Sequence, residues 1–216
     1  MASAPNAVDT SLGLGVAEMA YLLQLSDTQA ARVSAAWLRL DAEAQDPEVV
    51  RAGLSSLIAR GLATVDGAAV SFDSRLDAVA YTLASAARWT QVDLLQNAEL
   101  GDSVLHVDTD RTKLLLQPRT MQSWFILPQD REISVEAAES YLVRSHLADH
   151  PDGGVRLRTE LSAGGRQFLV RKDPNGWVCA TAEGDDVASP TAPLDDDGLL
   201  QELTLFRSGQ AVSNDG

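Results

Sequence analysis

The chain has 216 residues, 45% of them apolar, and a formal net charge of −14. That length suits one large domain or two small ones with a real core. The charge disfavours nonspecific binding to nucleic acid and to anionic membranes. A single cysteine, Cys179, rules out an intramolecular disulfide and fits a cytoplasmic protein.

Residues 1–13 are small and polar and are expected to be disordered, without the basic patch and apolar run of a signal peptide. Apolar residues then recur at helical spacing. Val16, Met19, Ala20 and Leu23 mark a first helix; Val33, Ala36, Trp37 and Leu40 mark a second, with Ser26 and Asp27 as candidate caps. Pro47 opens a third helix with the stripe Val50, Leu54, Leu57 and Ile58, ended by Gly61. Leu62–Val65 and Ala69–Phe72 flank Asp66-Gly67, a hairpin turn signal. Leu76, Val79, Ala80, Leu83 and Ala87 form a fourth helix, which completes a helical, winged-helix-like module over 14–88.

Residues 89–207 read as two units of β-meander plus helix. Strands are expected near Trp89–Gln96, Ser103–Asp108, Thr112–Gln117 and Met121–Leu127, then a helix near Val135–Leu147. After the break at Pro151–Gly154, strands begin at Val155, Gln167 and Trp177. A polar loop follows, then a helix capped by Asp195–Asp197 and running through Phe206. The matching element order predicts a mostly antiparallel sheet with quasi-twofold duplication in an α+β fold. Residues 208–216 are expected to be a disordered tail.

Candidate sites are sparse. Arg51, Ser55 and Arg60 would face DNA in a winged helix, but the wing from Thr64 to Ser71 carries Asp66 and no basic residue. His146 and His150 stand four apart on one helix with no third ligand at a diagnostic spacing. His106 lies in a strand and Cys179 lies between Val178 and Ala180; packing is the simpler reading of each. The acidic residues Glu183, Asp185, Asp186 and Asp195–Asp197 lack a calcium-loop register and read as loop and cap. No cofactor, metal or catalytic set is expected.

One cluster stands out. Arg156, Arg158, Arg166, Arg171 and Lys172 bring five of the 17 basic residues into one predicted hairpin. Alternation should turn Val155, Leu157 and Leu161 inward and Arg156 and Arg158 outward. Two readings stay open: Arg156, Arg158, Arg166 and Arg171 dock a protein partner, or they pair internally, with the Asp195–Asp197 cap as the leading acceptor.

Several segments resemble the EspG-like chaperones associated with type VII (ESX) secretion in actinobacteria. They are the early helix Val16–Leu23, the small-residue helix ending Arg60-Gly61-Leu62, the meander from Gln117-Pro118 to Pro128, and Trp177 followed by the leucine-rich helix Leu199–Phe206. The resemblance implies a central antiparallel sheet flanked by helices, with quasi-twofold symmetry. It also implies a non-enzymatic activity, binding the helical tip of secreted PE–PPE-type partners. The expected function is therefore a cytoplasmic, non-enzymatic protein-binding protein, a secretion-associated chaperone of the EspG-like type, with no nucleic-acid or membrane partner. The alternatives are an acidic winged-helix regulator or adaptor and, third, an enzyme of unknown chemistry.

Overall fold

A computed structural model describes residues 11–162 and 164–209. The fold is α+β. Its centre is a nine-stranded antiparallel sheet in the order β1-β7-β6-β5-β4-β8-β9-β10-β11. The strands are β1 (Leu12–Gly15), β4 (Arg88–Leu95), β5 (Gly101–Asp108), β6 (Lys113–Arg119), β7 (Ser123–Pro128), β8 (Gly154–Arg158), β9 (Arg166–Asp173), β10 (Gly176–Glu183) and β11 (Asp186–Val187). A separate hairpin pairs β2 (Ala63–Asp66) with β3 (Ala69–Phe72).

The helices are α1 (Val16–Gln24), α2 (Gln29–Leu38), α3 (Pro47–Ala59), α4 (Ser74–Ser85), α5 (Val135–Asp149) and α6 (Asp196–Arg207). A short polar side chain caps most of them, because the first N–H groups of a helix have no internal acceptor. Asp46, Asp73, Ser134 and Asp195 cap α3, α4, α5 and α6. The cap of α2 is Thr28, not Ser26 or Asp27: its hydroxyl accepts from Ala31 N–H and donates to the Ala84 carbonyl, tying α2 to α4.

The N-terminal expectation needs a correction. Residues 1–10 lie outside the described residues, but Leu12 and Gly13 are strand, not tail. Leu12 and Leu14 alternate into the core while β1 pairs with β7, opposite Ile126 and Trp124. At the other end Ser208 and Gly209 close α6 through backbone N–H groups that donate to the Thr204 and Phe206 carbonyls. The rest of the expected tail, 210–216, lies outside the described residues.

The two later units join one sheet. β4 and β8 are antiparallel neighbours, and the middle of their register is the pair Asp93 and Arg156. A twofold axis normal to the sheet at that pair exchanges β4-β5-β6-β7 with β8-β9-β10-β11 in order and direction. Each unit has four strands and then a helix, because the polar loop after β10 contains the short β11.

Side chains alternate between two faces. The front face holds Val92, Leu157, Phe168, Val170 and Cys179, packed under α5 and α6. The back face holds Leu105, Val107, Leu114, Leu116 and Ile126, packed under the N-terminal helices. Gly53 sets how closely α1 and α3 approach, since a Cβ there would overlap the carbonyl oxygen of Ala17.

Candidate functional site

The structure divides the winged-helix residues. Arg51 and Ser55 are exposed on α3; Arg60 is exposed too, but its guanidinium is engaged within the fold. Its guanidinium donates to the Glu18 carboxylate at 2.7 and 2.8 Å and to the Gly13 carbonyl at 2.9 Å. Glu18 also accepts from the Gly15 N–H and the Ser56 hydroxyl. Arg60 thus fastens α3 to α1 and β1.

This pair has a pH signature. Burial pushes the Glu18 carboxyl up, but the Gly15 N–H, Arg60 and Ser56 outweigh it, so its pKa sits below the ordinary 4.5. A folded-state pKa below the unfolded value stabilises above the unfolded pKa, and that stability is lost as pH falls through the folded pKa. Glu18→Gln should therefore cost about 1–3 kcal/mol near neutrality. The gap from the parent should narrow below roughly pH 4.5. Urea midpoints on both sides of that value check this.

The other single-residue candidates have structural partners. His146 Nε2 lies 3.0 Å from the Leu95 carbonyl, and its ring stacks at a tilt against His150. Among the described residues no group of three His, Cys, Asp or Glu side chains is arranged to hold a metal. Cys179 is fully buried in the front core; burial, then the charge of Glu202, pushes its thiol up to about 12. Asp195 caps α6, while Asp196 accepts from Trp177 Nε1 at 2.7 Å and from Arg144 at 2.6 Å.

The densest polar centre was not foreseen. Arg207, at the end of α6, is buried and donates to Glu139 at 2.8 Å, Thr90 at 2.6 Å, Asp108 at 3.0 Å and Glu136 at 3.1 Å. Burial lowers the guanidinium pKa, but the three carboxylates outweigh it and raise it. His106 packs beside Glu139 at 3.7 Å. This centre joins α5 and α6 to β4 and β5. Its signal in the sequence was slight: an arginine near the end of an amphipathic helix, with every partner at least 68 residues away.

The arginine hairpin is divided by the sheet. Val155 and Leu157 point into the front core as expected, but Leu161 lies past the end of β8 and is 49% exposed. Arg156 and Arg158 stand on the back face and share one carboxylate, Asp93, at 2.8 and 3.4 Å. The internal acceptor is therefore Asp93 across the β4–β8 pair, not Asp195–Asp197. Arg171 is exposed on the same back face, as the register of β9 against β10 requires. Arg166 falls on the front face, 5.2 Å from the centre of the Phe206 ring.

Helix cover of the sheet is uneven. On the front face, β6 and β7 carry Leu115 paired with Leu127, and Gln117 paired with Phe125. Leu115 and Phe125 are only partly buried and Leu127 is exposed, although this is the surface of a central sheet. Arg119 lies 5.7 Å from the Phe125 ring, and Met121 is 94% exposed at the tip of the β6–β7 turn. No helix among the described residues covers this strip, and apolar groups left open on a sheet with polar groups around them are where a partner can add cover.

No helix among the described residues is long and apolar enough to cross a membrane. No family model matches the chain, and no curated protein matches it. Solved structures do match. One is the structure of the Mycobacterium tuberculosis type VII secretion system chaperone EspG5 in complex with PE25-PPE41 dimer. The likeness has a TM-score of 0.56 at 10% sequence identity, and covers 90% of this chain and 94% of that chain. It is a likeness of fold.

Proposed function

We propose that this chain is a non-enzymatic, protein-binding chaperone of the secretion-associated kind, acting in the cytoplasm on a helical partner. The observation that carries the reading is the partly exposed apolar strip Leu115, Phe125 and Leu127 on the front of the sheet, in a fold shared with a chaperone. Covering what remains exposed of these side chains adds a fraction of the about 1.5–3 kcal/mol that each is worth from fully exposed to fully buried. Contacts beyond this strip supply the rest of what association requires. The solved neighbour is in complex with a PE25-PPE41 dimer, and a PE–PPE-type dimer encoded in the same genome is the first partner to try.

The test is co-elution of the purified chain with such dimers, beside the Phe125→Asp variant. Phe125 is already partly exposed, so the variant should keep its fold while burying a charge in the complex. The expected result is co-elution of the parent and at least tenfold weaker binding of the variant, as about 1.4 kcal/mol would give. Binding by neither form, or equally by both, overturns the proposal.

A further inference from the structure

The back face of β8, β9 and β10 differs from the rest of the sheet. The helices that pack on these strands, α5 and α6, lie on the front. The N-terminal helices cover the back of the first half only. Under the twofold relation the second half therefore lacks the counterpart of that helical cover.

Its floor is shaped for close approach. Across the centre of the back face run Asp93, Arg156, Leu169 and Ala180, in register. Ala180 lies between Val178 and Ala182 on the same side of β10, a column of small residues that are themselves buried, so a partner reaches them past the partly exposed Leu169 and the exposed Pro190. A shallow trough of about 200 Å³ opens between Leu169, Val178 and Ala180 on one side and Pro190 on the other.

Its charge is opposite to that of the chain. Arg156, Arg158 and Arg171 stand here against the single carboxylate of Asp93, in a protein of net charge −14. Asp93 has its other oxygen taken by Gln91 Nε2 at 2.6 Å. Asp173, at the end of β9, is turned into its own loop, where it accepts from the Asn175 N–H. No hydrogen bond or ion pair ties Arg171 among the described residues. Arg39 adds a fourth cation at the border: it ends α2 and lines a cleft of about 240 Å³ with Gln91 and Ser103.

We propose that this half-face docks an acidic amphipathic helix of a partner protein, an inference that rests on the protein-binding reading but concerns the opposite face of the sheet. A helix, not an added strand, fits because both edges of β10 are occupied. β9 takes one, and on the other the 188–194 segment donates from the Ala188, Thr191 and Leu194 N–H groups to carbonyls of β10. Helices also cover the rest of the back face. An apolar side chain of the docked helix fills the trough beside Ala180, and flanking carboxylates meet Arg39, Arg156, Arg158 and Arg171.

The experiment is an NMR titration of the isotope-labelled full chain with a helical peptide of about 20 residues, long enough to hold a helix. The peptide carries leucines on one face with glutamates flanking them. A second peptide has glutamine for every glutamate, and a third has the same acids in a non-helical order. Arg39→Gly and Arg171→Gln are combined in one variant. Arg39 is an αL C-cap, where glycine is favoured, and Arg171 is unpaired and exposed, so the fold is kept.

The expected result is shifts over 154–158, 167–171 and 178–182 with the first peptide. Affinity should fall about tenfold with the glutamine peptide and likewise with the variant, as loss of several charge pairs would give. Shifts confined to β6 and β7 would overturn this inference and leave the function proposed above intact. No shifts, or equal affinity of the first peptide and either of the other two, would overturn it too.

Discussion

Replacing Arg207 with methionine is expected to lower the stability of the chain by about 3–5 kcal/mol. The reason is what remains behind. Glu139 is fully buried, and the structure gives its Oε1 to Arg207 while its Oε2 has no hydrogen-bond partner among the described residues. Without the guanidinium, Glu139 loses its counter-ion and three carboxylates face one another. The loss should appear as a fall in thermal midpoint of roughly 10 °C, at about 2–4 °C per kcal/mol for a chain of this size. Adding Glu139→Gln to the variant should recover part of it, since the buried charge then disappears with its partner. A fall under about 1 kcal/mol would mean that water reaches the cluster and screens it.

Phe168→Ala should cost a similar amount, about 3–5 kcal/mol, by a different route. Phe168 is the largest fully buried side chain among the described residues. It sits across from Leu157 on β8, and its ring lies 5.4 Å from that of Phe206 on α6. Alanine leaves a cavity where β8, β9 and α6 meet, and neighbours in regular elements collapse into it only in part. Urea unfolding should show a lower midpoint with an unchanged slope. Adding Phe206→Ala should cost less than the sum of the two single changes, because both empty the same space.

The helices were legible because each carries its own evidence: an apolar stripe, a cap and a stop. Pro47 after Asp46, and Gly61 in a left-handed conformation after α3, are examples. Glycines likewise mark two hairpins locally: Gly67 opens the Gly67-Ala68 turn and Gly176 follows the Pro174-Asn175 turn, both with positive φ. β1 was not legible: four residues, two of them glycine, become a strand only because β7 offers a free edge.

The site was legible in composition but not in assignment. A period of two turns Arg156 and Arg158 to one side of β8, yet it says nothing of what lies across the sheet. Their acceptor, Asp93, is 63 residues before Arg156. Arg207 meets partners from 68 to 117 residues away for the same reason. Which parts of a sheet stay uncovered depends on where helices pack, a tertiary outcome that no local pattern of Leu115, Phe125 or Leu127 encodes.

The central claim is that this chain binds a helical protein through the front of β6 and β7. Amide hydrogen exchange on the chain, alone and with a PE–PPE-type dimer from the same genome, tests it most directly. The prediction is slowed exchange over 113–119 and 123–128, with the wing at 63–72 unchanged. Equal exchange in both samples, or protection confined to α3 and the wing, would contradict the account.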